Sequence, residues 1–211
     1  MIIKRKVHIM DILKTHITNN LKEYIIVLLI FLIGIFLGVM FINNAKEAQQ
    51  NEIQNYINTY IENCKNGDIE SSNGLIINIK ENIILACLLW FAGTTIICMP
   101  IVLGIVMFRG FCLGYTISAT ISTIGLGKGI LFILTSLLLQ NILFIPAILM
   151  LGVSGIKLYR SIMKDKRKEN IKIEILRHTA ISGIALVILI VSAFIEVQVS
   201  YNFVNLIAKY L

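Results

Sequence analysis

Residues 129–152 read GILFILTSLLLQNILFIPAILMLG. The run carries no charge and is long enough to cross a bilayer, because about 20 apolar residues rising ~1.5 Å each span the hydrocarbon core. Two adjacent amides, Gln140 and Asn141, sit at its middle, so this reading places them near the membrane midplane. Lipid offers no hydrogen-bond partner at that depth. The two side chains are therefore expected to face other helices or a polar cavity, as clasps between spans.

Working outward, four further runs have the same character, at 24–42, 83–106, 111–126 and 179–197. The chain has 211 residues, of which 57% are hydrophobic and 15% charged. A soluble domain of this size would be about 25% charged. The apolar excess lies in blocks of spanning length, which excludes a soluble bundle. The expected fold is all-α: a polytopic integral membrane protein with five transmembrane helices in one membrane domain, residues 1–211. An amino-terminal amphipathic helix is expected within 1–22, lying on the membrane surface. There Ile9, Ile12, Leu13, Ile17 and Leu21 follow helical spacing with polar residues between them.

The charges orient the molecule. Lys4, Arg5, Lys6, Lys14 and Lys22 precede the first run, and the segment 157–177 is strongly basic. The positive-inside rule puts both on the cytoplasmic face, with the amino terminus inside and the carboxyl terminus outside. Arg109 is assigned to a tight inner turn at 107–110, between spans two and three. The basic clusters flank membrane spans, so they point to anionic lipid headgroups and not to nucleic acid. The polar segment 43–81 has more acids than bases and is placed outside. Within it Ile53, Ile57 and Ile61 recur every four residues beside Tyr56 and Tyr60, predicting an amphipathic helix that ends near 66–68. Its exposed aromatics would suit a partner-docking face.

Inside the spans, Gly34 and Gly38 form a GxxxG pattern that permits close helix approach, and a symmetric homodimer is one use of it. Pro100 is expected to kink the second span. The third span is short and rich in small polar residues, including Gly114, Ser118 and Thr120, and is expected at the centre of the bundle. Catalysis needs a nucleophile or a titratable pair within reach. Glu196, near the outer end of the last span, is the one acid at a span, and the three histidines are read as lying outside the apolar cores. The expectation is therefore no catalytic residue, no metal site and no cofactor.

These features in this order resemble the stage II sporulation protein M family of spore-forming bacteria. The carrying residues are Asn82, Gly93, LGIVMFRGFCLGY at 103–115 with Arg109, Gly110 and Gly114, LLLQNILFIPAILM at 137–150 with Pro146, and AFIEVQV at 193–199 with Glu196. The wider superfamily often has His-Gly and Glu just before that proline, and this chain has neither. The resemblance implies a noncatalytic anchor in the mother-cell membrane at the sporulation septum. There it would hold two peptidoglycan hydrolases, stage II sporulation proteins D and P, for engulfment of the forespore. The alternative from a different class is a transporter or channel subunit, with a polar path lined by spans three and four.

Overall fold

The computed structural model describes residues 14, 16–66, 71–95, 99–134, 137, 139–164 and 168–197. From Leu21 on, the helices with described bounds are α1 Leu21–Asn43, α2 Glu47–Asn66, α3 Ser71–Thr94, α4 Met99–Ile124, α5 Leu126–Ile133, α6 Leu139–Lys164 and α7 Lys168–Ile195. Among the described residues there is no strand. Five of the helices, α1, α3, α4, α6 and α7, are long and apolar enough to cross a membrane. The protein is thus a multi-pass membrane protein.

Each spanning helix buries one stripe and leaves the rest apolar and exposed. On α1 the buried stripe is Val27, Phe31, Gly34, Gly38 and Ile42, at helical spacing. Its opposite face, Leu29, Ile33, Phe36 and Met40, is exposed. In water such a face would be a severe liability, whereas lipid tails satisfy it. The central element is α6, the most buried of the five spans. Its residues Ala147, Ile148, Leu151 and Val153 meet Val27 of α1, Leu85 and Leu89 of α3, Val102 and Val106 of α4, and Ala185 and Leu189 of α7 in one core. The small-residue segment expected at the centre is instead the second half of α4.

Close pairs fix the directions. Gly34 and Gly38 of α1 face the backbone at Met107, Phe111 and Tyr115 of α4, and Gly110 and Gly114 of α4 face Phe31 and Ile35. A Cβ at any of the four would overlap a main-chain carbonyl of the other helix. The two GxxxG faces therefore mesh with each other, and α1 runs parallel to α4. Asn82 of α3 meets Leu189 of α7, and Trp90 meets Thr179, so these two helices are antiparallel. Glu23 pairs with Arg160, which sets α1 antiparallel to α6. The ends near residues 43, 71, 124, 139 and 195 consequently share one face of the bundle, the face that carries α2.

Three boundaries differ from the sequence reading. The helix of the second span ends at Thr94 and that of the third starts at Met99, so the two are not divided at 107–110. The residues read as an inner turn lie inside α4, and Arg109 is level with Phe31, halfway along α1. Pro100 is the second residue of α4. In a first turn the missing N–H has no partner to lose, so it starts a helix and kinks nothing. The polar segment placed at 43–81 is also shorter, because α3 already begins at Ser71.

At the other end of α4, Gly125 adopts φ +88°. This is a left-handed conformation that glycine takes without steric cost. The chain folds back there, so that Gly129 of α5 rests on Ile121. In the run 129–152, α5 ends at Ile133 and α6 starts at Leu139, and the described residues between them, Leu134 and Leu137, are π-helical. Most of the expected 1–22 surface helix lies outside the described residues. Residues 16–19 are helical, with His16 buried and Ile17 exposed.

Candidate functional site

Three helices each turn a polar stripe toward one cleft. Asn78, Glu81 and Asn82 lie on one face of α3, and Arg109, Cys112, Leu113 and Thr116 on one face of α4. Leu137, Asn141 and Phe144 line it at the start of α6, and Glu196 closes it just past the end of α7. Spacings of three, four and seven residues are what one helix face requires. The cleft has a volume of about 190 Å³. It extends from the α2-bearing face, where Glu196 sits, down to Arg109 at mid-bundle.

Within it, the Asn82 side-chain N–H donates to the Leu189 carbonyl at 3.0 Å, tying α3 to α7. With Asn82 only 5% exposed, this bond answers most of the cost of burying its amide. The Asn141 amide donates to the Leu137 carbonyl at 2.7 Å. That bond gives the Leu137 carbonyl a side-chain donor from four residues further along the chain. Asn141 thus serves its own chain segment and lines the cleft from the first turn of α6, in place of the expected interhelical clasp at the midplane. The side chain of Gln140 lies outside the described residues.

The charges are arranged by sign. The Arg109 guanidinium lies 5.6 Å above the Phe144 ring, a cation–π contact that uses the α6 wall. On the opposite side the Glu196 carboxyl is hydrogen-bonded by Asn78 and feels the charge of Glu81. Among the described residues no ion pair joins Arg109 to a carboxylate. A charge at bilayer depth costs about 2.5–3.5 kcal/mol on insertion scales.

A second polar centre lies deeper and has no opening. His178 of α7 is 1% exposed and Ser154 of α6 is 3% exposed. The imidazole Nδ1 is 2.8 Å from the Ser154 hydroxyl, and Nε2 is 3.3 Å from the Trp90 carbonyl of α3. A carbonyl can only accept, so Nε2 carries the proton and Nδ1 accepts from the serine. The ring packs on Gly93, where a Cβ would lie 2.8 Å from it, and Gly93 also meets Gly155. This serine–histidine pair ties three helices together, since neither group is reachable by a substrate. His178 is thus in the core, contrary to the sequence reading.

At the opposite end of the bundle His16 bonds the Tyr24 hydroxyl at 3.0 Å. Burial, helped by the positive charges of Lys157 and Arg177, pushes its imidazole down from 6.5 to about 4. A histidine held neutral in the folded state contributes stability that is complete above its unfolded value. That contribution is lost as pH falls from about 6.5 toward 4.

The remaining expected residues divide clearly. Asn82, Arg109, Asn141 and Glu196 come together at the cleft. Gly34, Gly38, Gly110 and Gly114 form the α1–α4 seam, and Gly93 serves the histidine centre. Tyr56 is 75% exposed on α2, while the side chain of Tyr60 lies outside the described residues. Pro146 lies inside α6, away from the cleft lining. The sequence reading does not single out Asn78, Glu81 or Phe144, which line the cleft. The i, i+3, i+4 spacing of Asn78, Glu81 and Asn82 was the available signal.

The family model for stage II sporulation protein M matches residues 27–201. No curated protein and no solved structure matches the chain.

Proposed function

The chain belongs to the stage II sporulation protein M family, and from that premise we propose that this sporulation-related membrane protein is a noncatalytic scaffold. It sits in the mother-cell membrane at the septum and recruits two peptidoglycan hydrolases, stage II sporulation proteins D and P, during forespore engulfment. The family match over residues 27–201 carries the reading. Two features support it. Helix α2, with Tyr56 outermost, projects an amphipathic surface from one face of the bundle. The basic residues that precede α1 and those around the α6–α7 connection, at 4–22 and 157–177, support an extracytoplasmic α2 face under the positive-inside rule.

The test is affinity purification with crosslinking from sporulating cells, alongside a gene deletion. The expected result is recovery of both wall hydrolases, and arrested engulfment with normal vegetative growth after deletion. Normal engulfment in the deletion strain, with no hydrolase recovered, would overturn the reading.

One observation favours a second reading, a transporter or channel subunit: the polar cleft that reaches Arg109. Solute flux in proteoliposomes that disappears with Arg109→Gln would move the conclusion to this class.

A further inference from the structure

We propose that the cleft binds a small hydroxylated phosphate ester, whose phosphate oxygens take the Arg109 guanidinium and whose hydroxyls donate to side-chain oxygens of the surrounding walls. The inference goes beyond the scaffold reading and stands whether or not a hydrolase binds the protein.

Arg109 is the one cation among the described residues that line the cleft. Its guanidinium lies over the Phe144 ring, and no carboxylate pairs with it among the described residues. It cannot turn away, because Gly110 is packed on the Phe31 carbonyl and Gly114 on the Ile35 carbonyl, which fixes the rotation of α4. The neutral groups have their donors engaged elsewhere. Asn82 donates to the Leu189 carbonyl, Asn141 to the Leu137 carbonyl and the Thr116 hydroxyl to the Cys112 carbonyl. Each keeps an oxygen that accepts hydrogen bonds, and the exposed Glu81 adds another acceptor. Glu196 is already hydrogen-bonded by Asn78 and is not needed for the contacts. The cleft thus offers one planar cationic fork and several acceptors. Two of its lining residues, Leu137 and Glu196, are π-helical, and such widened turns recur at functional sites.

This inventory selects the occupant. A halide or sulfate would satisfy Arg109 and bring no donor to the acceptors. A metal ion or simple ammonium would meet the acceptors and be repelled by Arg109. An oxyanion that carries hydroxyls satisfies both, and a guanidinium matches a phosphate edge with strong charge-assisted bonds. The volume of about 190 Å³ is below the roughly 300–1,000 Å³ of sites for drug-sized ligands, so the occupant is a headgroup-sized fragment. The cleft deepens from the α2-bearing end of the bundle, so a phosphoglycerol headgroup in that leaflet can enter it. A soluble polyol phosphate is the other source of the same chemistry.

The experiment uses the purified full-length protein in detergent, with lipid retention read by native mass spectrometry and melting by a thermal-shift assay. The probes are phosphatidylglycerol, phosphatidylmethanol and phosphatidylethanolamine with identical tails, and soluble glycerol 3-phosphate. Phosphatidylmethanol keeps the charged phosphodiester and lacks the hydroxyls. Phosphatidylglycerol should be retained above both other lipids and raise the melting temperature most. Arg109→Gln should weaken its retention by about tenfold, the scale of one lost charge-assisted bond. Thr116 is exposed, so Thr116→Val keeps the fold even if the Arg109 variant does not. That variant should lower phosphatidylglycerol retention about threefold and leave phosphatidylmethanol unchanged, because it removes one neutral acceptor. Ile76→Ala, on an exposed position of α3, should bind as wild type. Competition by glycerol 3-phosphate assigns the site to a soluble polyol phosphate, and its failure to compete assigns it to the lipid. Equal retention of phosphatidylglycerol and phosphatidylmethanol, stronger retention of phosphatidylethanolamine, or unchanged phosphatidylglycerol binding in a folded Arg109→Gln protein overturns the proposal.

Discussion

Ser154 and His178 illustrate how one buried hydrogen bond organises a membrane interior. The serine hydroxyl is the donor to Nδ1, and Nε2 is committed to the Trp90 carbonyl. Ser154→Ala removes the donor and leaves a ring nitrogen unsatisfied where water does not reach. The expected cost is about 1–2 kcal/mol, between the penalty for a buried orphan group and the smaller values of interhelical bonds in lipid. A lowered midpoint in detergent unfolding checks it, and a wild-type midpoint would show that the pair is incidental. The sequence offered little warning of this pair. Histidine after arginine near a span end reads as interfacial, and only the packing of α3, α6 and α7 reveals that its ring is enclosed by Gly93. Arg109 is the opposite case. It was visible as the one cation between two apolar runs, yet its role depended on where the helix boundary falls.

Helix boundaries are poorly marked in this chain, and the cause is physical. From 83 to 108 the chain is almost uniformly apolar, so periodicity carries no punctuation. The residue that marks the start of α4 is Pro100, because a proline is favoured in the first turn of a helix, where its missing N–H has no partner to lose. Pairing between helices was likewise ambiguous. A GxxxG pattern states that something approaches closely, without naming the partner. The partner is the second GxxxG, Gly110 and Gly114, in the same chain, so the seam that suggested a homodimer is filled within one subunit. Gly110→Val would press a branched side chain onto the Phe31 carbonyl. Overpacking costs about 1–3 kcal/mol, and here the obstacle is backbone, which cannot rotate away. The expected outcome is a clear loss of thermal stability with no separate change in oligomeric state. Normal stability together with a shift in size-exclusion volume would return the seam to an intermolecular role.

For the molecule as a whole, alternation of five spans puts α2, the Gly125 turn, the mouth of the cleft and Glu196 on one face. Cysteines introduced singly at Asn55 on α2 and at Lys172 near the start of α7 should label from opposite sides. Asn55→Cys should react with an impermeant thiol reagent in intact cells, and Lys172→Cys only after permeabilisation. The same accessibility at both sites would refute the topology. Spanning character, span number and the family resemblance were all legible in the chain, because apolar runs of bilayer length have no stable alternative to helices in lipid. The amphipathic α2 was legible too, from isoleucines at four-residue spacing. The cleft was not. Its charged and amide groups come from residues 78–82, 109, 137–144 and 196, which no local pattern connects. Their meeting depends on parallel α1 and α4 and antiparallel α3 and α7. Composition and periodicity thus establish a five-span membrane helix bundle, since burial in lipid is a local property of each segment. Which polar groups share an interior is a property of helix register and direction, and these are set by contacts between distant segments.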